Sequence, residues 1–172
     1  MKNKIRIIYV GVINPNKNIE ATIEACKILI ELGYEVGYTI VGKILERKYY
    51  DLIKQYPFIR YIPHCKKEEL INYYRDADIF VMPSKHETFG LVYVEAMTQG
   101  LPVIYTRGQG FDGQFNEGEV GYSVEYDSAK EIADRIVKIL NEYESISNQC
   151  LINNDRFDWE KISRKYMCIY NI

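Results

Sequence analysis

The sequence predicts an α/β domain, a doubly wound parallel sheet with helices on both faces, and three observations carry that prediction. Apolar runs of strand length alternate with segments of helical period along nearly the whole chain. Several strand candidates are apolar on both faces, as strands sandwiched between two helical layers are. The third observation is size. The chain has 172 residues, 47% hydrophobic and 27% charged, which suits one globular domain able to bury roughly two-thirds of its unfolded surface without disulfides.

The elements follow in order. Ile5 to Val12 is a β-rich run broken at Gly11 and closed by the turn-like Asn14-Pro15-Asn16. Ile19, Ile23, Cys26 and Ile30 then recur at i, i+4, i+7 and i+11 up to Gly33, the period of an amphipathic helix. Val36 to Val41 forms a second strand ended by Gly42, with a polar helix around Arg47 to Gln55 behind it. A strand at Phe58 to Ile62 and a short helix at Lys67 to Arg75 come next. Ile79 to Met82 is a continuously apolar strand closed by Pro83, and a helix from about Phe89 to Thr98 ends at Gly100. Pro102 to Tyr105 makes another buried strand and Tyr122 to Val124 a last short one. Two helices finish the chain: Ser128 to Tyr143, with Ile132, Ile136 and Ile139 on one face, and Trp159 to about Tyr170. Right-handed crossovers make such a sheet Rossmann-like. Ligands bind beyond the carboxyl ends of its strands, so the loops of interest are Gly11 to Lys17, Gly42 to Glu46, Pro63 to Lys66, Pro83 to Gly90 and Thr106 to Asn116.

Composition excludes several classes. Lys plus Arg is 22 against 24 Asp plus Glu, a net charge of -2 with no long like-charged block, so no nucleic-acid partner is expected. No stretch approaches the roughly 18 consecutive apolar residues of a membrane span. Ile5 to Val10, behind Met1-Lys2-Asn3-Lys4, is too short for a signal-peptide core and has no small-residue cleavage site behind it. Cys26, Cys65, Cys150 and Cys168 form no Cys-x-x-Cys, and His64 and His86 are the only histidines, so neither a disulfide framework nor a metal site is expected. The expected location is the reducing cytoplasm. Asp76-Ala77-Asp78 imitates a metal-binding Asp-x-Asp, but it straddles a helix end and a strand start, which points to capping and solvation. Gly108-x-Gly110-x-x-Gly113 spells a dinucleotide fingerprint, yet it lies in a late loop opening no long helix. That placement disfavours an NAD enzyme.

The most informative stretch runs from Pro83 to Met97 and holds Glu87 and Glu95. Their spacing alone means little, since Glu117 and Glu125 repeat it. Position carries more. Glu87 lies in a loop after a buried strand, just before a helix whose first amides, those of Phe89, Gly90 and Leu91, are expected to be unpaired and to point a positive end outward. Such an end is suited to phosphate. A carboxylate there can accept hydrogen bonds from sugar hydroxyls beside the phosphate, and Glu95, two turns on, can reach a ribose. On these grounds a helix-start acid and a solvated glutamate remain equally open. Lys17, in a post-strand loop opening a helix, is a compact charge suited to a diphosphate or an ordinary exposed lysine. His86, directly before Glu87, is open to two readings, a hydrogen-bond donor to the donor sugar or a solvated loop residue.

Ser84-x-x-Glu87-Thr-Phe89-Gly90-Leu91-x-x-x-Glu95-Ala96-Met97-x-x-Gly100-x-Pro102-Val103 resembles the signature of the glycosyltransferase family 4 enzymes (glycosyl transferases group 1) of the GT-B fold, in their carboxy-terminal, nucleotide-sugar-binding domain. The resemblance extends upstream through Gly11, Lys17, Ile40-Val41-Gly42, Glu68-Glu69-Leu70 and Tyr74-Arg75-x-Ala77-Asp78-Ile79-Phe80-Val81. Downstream it takes in Glu117-Gly118-x-x-Gly121 and Phe157-x-Trp159-Glu160. It implies that 1–172 is a single donor-binding domain, one half of a GT-B fold, with 157–172 a terminal helix crossing toward an absent amino-terminal acceptor domain.

The resemblance also implies roles. Glu87 would contact donor-sugar hydroxyls and Lys17 the diphosphate, these two being the catalytic pair. The amides at Phe89 and Gly90 would face sugar and distal phosphate, Glu95 would hold the ribose, and the loop at His64-Cys65 would meet the nucleobase. Gly11, Gly42, His86, Thr88 and Leu91 complete the donor-binding set. Three departures stand out: Val12 replaces the family's common Arg, Pro63-His64 replaces a Gly-aromatic pair, and Gly113 falls near the usual late-loop Glu. Arg107 is the nearest candidate to replace the absent Arg. The function implied is a retaining hexosyl transfer from a UDP- or GDP-sugar to a saccharide or lipid-linked acceptor in surface polysaccharide synthesis, such as capsule or lipopolysaccharide. It is cytoplasmic, with any peripheral membrane attachment through the amino-terminal domain, and uses neither metal nor cofactor. The alternative is a non-catalytic nucleotide-sugar-binding module in a complex. A GT-B-type epimerase would need a general base that the sequence does not offer, and a receiver domain would need acids where Asn14-Pro15-Asn16 stands.

Overall fold

A computed structural model of the protein describes residues 4–170. Six strands, β1 (Lys4–Val10), β2 (Glu35–Val41), β3 (Ile59–Ile62), β4 (Ile79–Val81), β5 (Val103–Thr106) and β6 (Gly121–Val124), form one sheet. Its order is β3-β2-β1-β4-β5-β6, and every pairing is parallel. The helices are α1 (Ile19–Glu31), α2 (Arg47–Ile53), α3 (Lys67–Arg75), α4 (Leu91–Met97), α5 (Ala129–Asn141), α6 (Tyr143–Asn153) and α7 (Trp159–Tyr170). This is the doubly wound arrangement expected. Strand order reverses between β1 and β4, so a crevice opens there at the carboxyl edge, where all the post-strand loops gather.

The central strands explain the apolar runs: all residues of β4 and β5 are buried. Helices on both sides cover them, with α1 packed on α5 and α4 on α6. Beyond β1 and β2 the chains approach so closely that a Cβ on Gly42, at φ +140°, would stand 1.9 Å from the Gly11 carbonyl oxygen. Aromatic rings run from the core toward the carboxyl edge, Phe80 to Tyr93 at 5.5 Å, Tyr93 to Phe111 at 4.8 Å and Phe111 to Phe115 at 5.7 Å between centroids. Phe157 extends this column to Phe89 at 5.6 Å.

Three expectations are corrected. The helix expected from Phe89 begins at Leu91, because Gly90 holds a left-handed φ of +80° and leaves 87–90 as loop. The helix expected to run to Tyr143 stops at Asn141 and a separate helix follows; α6 buries only Ile146 and Cys150, too little for a visible apolar period. The terminal helix that the resemblance starts at 157 begins at Trp159, where the chain's own pattern puts it, after a 3-10 turn at Asn154–Phe157. Positions 171 and 172 of that expected segment, and 1–3 of the expected domain, lie outside the described residues.

Candidate functional site

The loops after β1 and β4 meet across the switch crevice, and their own sequences dictate how. The Asn14 side chain accepts hydrogen bonds from the amides of Asn16 at 3.0 Å and Lys17 at 3.2 Å, folding 14–17 into a turn. Asn18 is buried in the left-handed region at φ 52°, which asparagine tolerates, and its amide donates to the Pro83 carbonyl at 3.2 Å. The turn aims Lys17 across the crevice, where its Nζ donates to Glu87 Oε2 at 2.6 Å. These two side chains are only 20% and 12% exposed.

Glu87 is braced from the other side. Its amide donates to Gln109 Oε1 at 2.9 Å, and its carbonyl accepts from the Gly110 amide at 3.0 Å. A Cβ on Gly110 would stand 1.6 Å from the Thr88 carbonyl oxygen, so only glycine lets the β5–β6 loop come this close. The second carboxylate oxygen, Oε1, accepts from the Thr88 amide at 3.1 Å. Beneath the pair, Tyr9 donates to the Val12 carbonyl at 3.0 Å and Tyr93 to the Met82 carbonyl at 2.7 Å. Burial first, and then the charge of Glu87, push both phenols up, so they remain protonated donors.

An open depression of about 490 Å³ lies over Lys17 and residues 87–92. Among the described residues no acceptor meets the backbone amides of Phe89, Gly90 and Leu91. Lys17 has three N–H donors, one of them committed to Glu87. Two donors and an open run of amides can therefore receive an anion. Glu87, neutralised by its partner, keeps lone pairs for hydroxyl donors.

The other sequence candidates are spread along the same edge. Thr88, Phe89, Gly90 and Leu91 line the depression. Glu95 does not; it is exposed on α4 and accepts from Tyr74 Oη at 3.3 Å, beside a separate groove of about 300 Å³ between α3 and α4. His64 is exposed and Cys65 half-buried in the β3–α3 loop, and burial followed by the charge of Glu69 pushes the Cys65 thiol up. His86 is exposed, with both backbone groups held by the Asn16 side chain. The amides of Gly11 and Gly42 continue the sheet by donating to Val41 and Ile62.

Val12, where the resemblance leads one to expect an Arg, projects into solvent. Arg107 does not fill that role: it is held by Glu125 at 2.7 Å and Glu131 at 2.6 Å. Asp78 of the Asp-x-Asp is 1% exposed and engaged by Arg6 Nη2 at 2.8 Å and Nε at 3.2 Å, a structural ion pair. Sequence reasoning missed Asn16, Asn18, Gln109 and Gly110 as parts of the site. Gly110 carried a signal, since a glycine in a loop facing Glu87 marks close backbone approach.

A doubly wound parallel sheet with a charged crevice at its switch point defines an α/β ligand-binding domain. Its family follows from sequence: the profile described as Glycosyl transferases group 1 matches residues 1–156, and the chain belongs to that family. The sheet is the carboxy-terminal half of the family's GT-B architecture. The capsular polysaccharide biosynthesis glycosyltransferase CapM of Staphylococcus aureus is 32% identical over 139 residues, 78% of this chain and 36% of CapM. A probable sucrose-phosphate synthase of Thermosipho melanesiensis is 29% identical over 96% of this chain and 41% of its own. The chain thus spans less than half the length of these relatives. Among solved structures, Anabaena Alr3699/HepE in complex with UDP-glucose aligns over 99% of this chain and 50% of its own, at a TM-score of 0.83 and 20% identity, a likeness of fold. The C-terminal domain of a glycosyl transferase group 1 family protein (LpcC) from Francisella tularensis aligns over 86% of this chain and 82% of its own, at a TM-score of 0.73 and 25% identity. No described helix is long and apolar enough to cross a membrane.

Proposed function

We propose that this domain binds the donor of a retaining glycosyltransferase, a UDP- or GDP-hexose, and that the enzyme passes the hexose to a saccharide or lipid-linked acceptor held by an amino-terminal domain. One observation carries the reading: Lys17 and Glu87 are paired at 2.6 Å in the switch crevice, beside three amides that meet no acceptor among the described residues. The two spare Lys17 donors and these amides meet the diphosphate. Glu87 accepts from the sugar hydroxyls. As the sugar–phosphate bond breaks, negative charge grows on the departing diphosphate, and fixed donors aimed there stabilise that charge without reorganising. The acceptor attacks from the face the diphosphate leaves, and the diphosphate oxygen takes its proton, so neither metal nor protein nucleophile is required.

Glu95, released from Tyr74, holds the ribose, and the His64-Cys65 loop meets the base. The likeness to CapM supports a surface-polysaccharide setting for a cytoplasmic enzyme. Titration of the chain with UDP, GDP and ADP, then with UDP- and GDP-hexoses, tests the reading. One diphosphate binds, and Glu87→Ala, which also frees Lys17, weakens the sugar conjugates more than the diphosphate alone. Absence of binding by wild type at millimolar concentration, or equal loss of diphosphate and conjugate in Glu87→Ala, contradicts it. The chain alone is expected to bind donor without transferring it, because half the cleft lies in the other domain; robust transfer would remove that part of the proposal.

A further inference from the structure

Beyond the last pairs of the β1–β4 ladder, Ile7 with Ile79 and Ile8 with Phe80, the two chains are no longer joined by the sheet. What joins them next to the ion pair is one side chain. Asn16 Nδ2 donates to the His86 carbonyl at 2.8 Å, and Asn16 Oδ1 accepts from the His86 amide at 2.8 Å. Both ends of the amide are thus used, as a strand neighbour would use them, and its orientation is fixed. The Lys85 amide adds a third bond, to the Asn16 carbonyl at 2.8 Å. The register is the informative part: Asn16 directly precedes Lys17, and His86 directly precedes Glu87. The clamp and the ion pair are successive rungs between the same two loops.

We propose that Asn16 is a positioning residue, whose side chain holds Lys17 against Glu87 and so sets the place of the cation that meets the donor diphosphate. This rests on the reading that the Lys17–Glu87 depression takes a nucleoside diphosphate. A lysine side chain has many rotamers, and its ammonium is a point charge with no geometry of its own. Its position must come from the backbone that carries it. Asn14 shapes the turn internally and Asn18 ties its far end to Pro83, whereas Asn16 bonds His86, the residue next to Glu87.

Two measurements on the full chain test the proposal. The first needs no ligand: the nitrogen resonance of the Lys17 ammonium, assigned by its loss in Lys17→Ala. Asn16→Ala is expected to move it to the position of exposed lysines, as Glu87→Ala does; an unmoved signal overturns the proposal. Asn16→Asp is nearly isosteric and serves if the alanine variant does not fold. It keeps the acceptor for the His86 amide but turns a lone pair toward the His86 carbonyl, and the same shift is expected. The second measurement is a double-mutant cycle in UDP and GDP affinity. Asn16→Ala is expected to weaken the bound diphosphate about tenfold, the scale of a lost pair of hydrogen bonds. It should cost almost nothing further once Lys17 is alanine. Additive losses mean Asn16 acts as general scaffold and overturn the proposal. If wild type binds neither diphosphate, the proposed function fails, and the Lys17 resonance alone decides whether Asn16 holds the cation.

Discussion

Two clusters of opposite charge stand on the carboxyl edge of the same sheet, and they are built for different ends. At the β1–β4 crevice a lysine meets one carboxylate, with side chains 20% and 12% exposed. At the β5–β6 end Arg107 meets two, Glu125 and Glu131, and is itself 42% exposed. The single charge of the arginine is met by two carboxylates. Glu131 also accepts from the Glu125 amide at 2.9 Å. The lysine cluster has one carboxylate, amides beside it that meet no acceptor among the described residues, and braces from three loops. A cation matched by one carboxylate in a braced and half-sheltered crevice is suited to binding an anion, and a cation matched by two carboxylates at an exposed edge is a surface brace.

Disturbing the braces should have the largest effect. Gly110→Ala drives a methyl into the Thr88 carbonyl, and a thermal melt is expected to show a loss of about 2 to 3 kcal/mol. Diphosphate binding should be abolished with it, because the Glu87 segment is displaced. Next comes Lys17→Ala, which removes a charged donor. Calorimetry should show diphosphate affinity falling by about 1.5 to 3 kcal/mol, with a smaller change in melting temperature. Arg107→Ala sharpens the contrast: a stability loss of less than about 1 kcal/mol is expected, with diphosphate affinity unchanged.

The smallest effect is a pH dependence. Burial disfavours the Glu131 carboxylate, but hydrogen bonds from the Glu125 amide and Arg107 outweigh it and hold the group below its usual range. The folded value lies below the unfolded one, so this contribution is present above the unfolded carboxylate range and lost as pH falls through the folded value. Glu131→Gln should therefore destabilise at pH 7, with the difference from wild type shrinking as pH falls below the usual carboxylate range, measured by melts across pH.

Much of the fold, and each member of the lysine pair, was legible in the chain, for identifiable reasons. Strands and helices with a buried face announce themselves by period, and α3 has the bounds the sequence suggests. Lys17 and Glu87 could each be picked out from a loop position and a family motif. That they touch could not, since seventy residues separate them and only the strand reversal at β1 and β4 brings them together. Asn16 and Gln109 escaped notice because polar loop residues have no periodicity, and their meaning lies in a partner far along the chain. Helix α6 was hidden by its polarity, with Ile146 and Cys150 its only buried residues. Arg107 shows the opposite failure. Its loop suggested a phosphate ligand, and only the positions of Glu125 and Glu131 reveal that it is already paired.

The most direct test of the difference between the two clusters is a backbone amide spectrum of the chain titrated with UDP and, in parallel, GDP. With the diphosphate that binds, shifts are expected at Lys17 and from Glu87 through Leu91, while Arg107, Glu125 and Glu131 stay in place. Shifts centred on Arg107 and Glu131, or none with either nucleotide, would contradict the assignment of the β1–β4 crevice as the donor site.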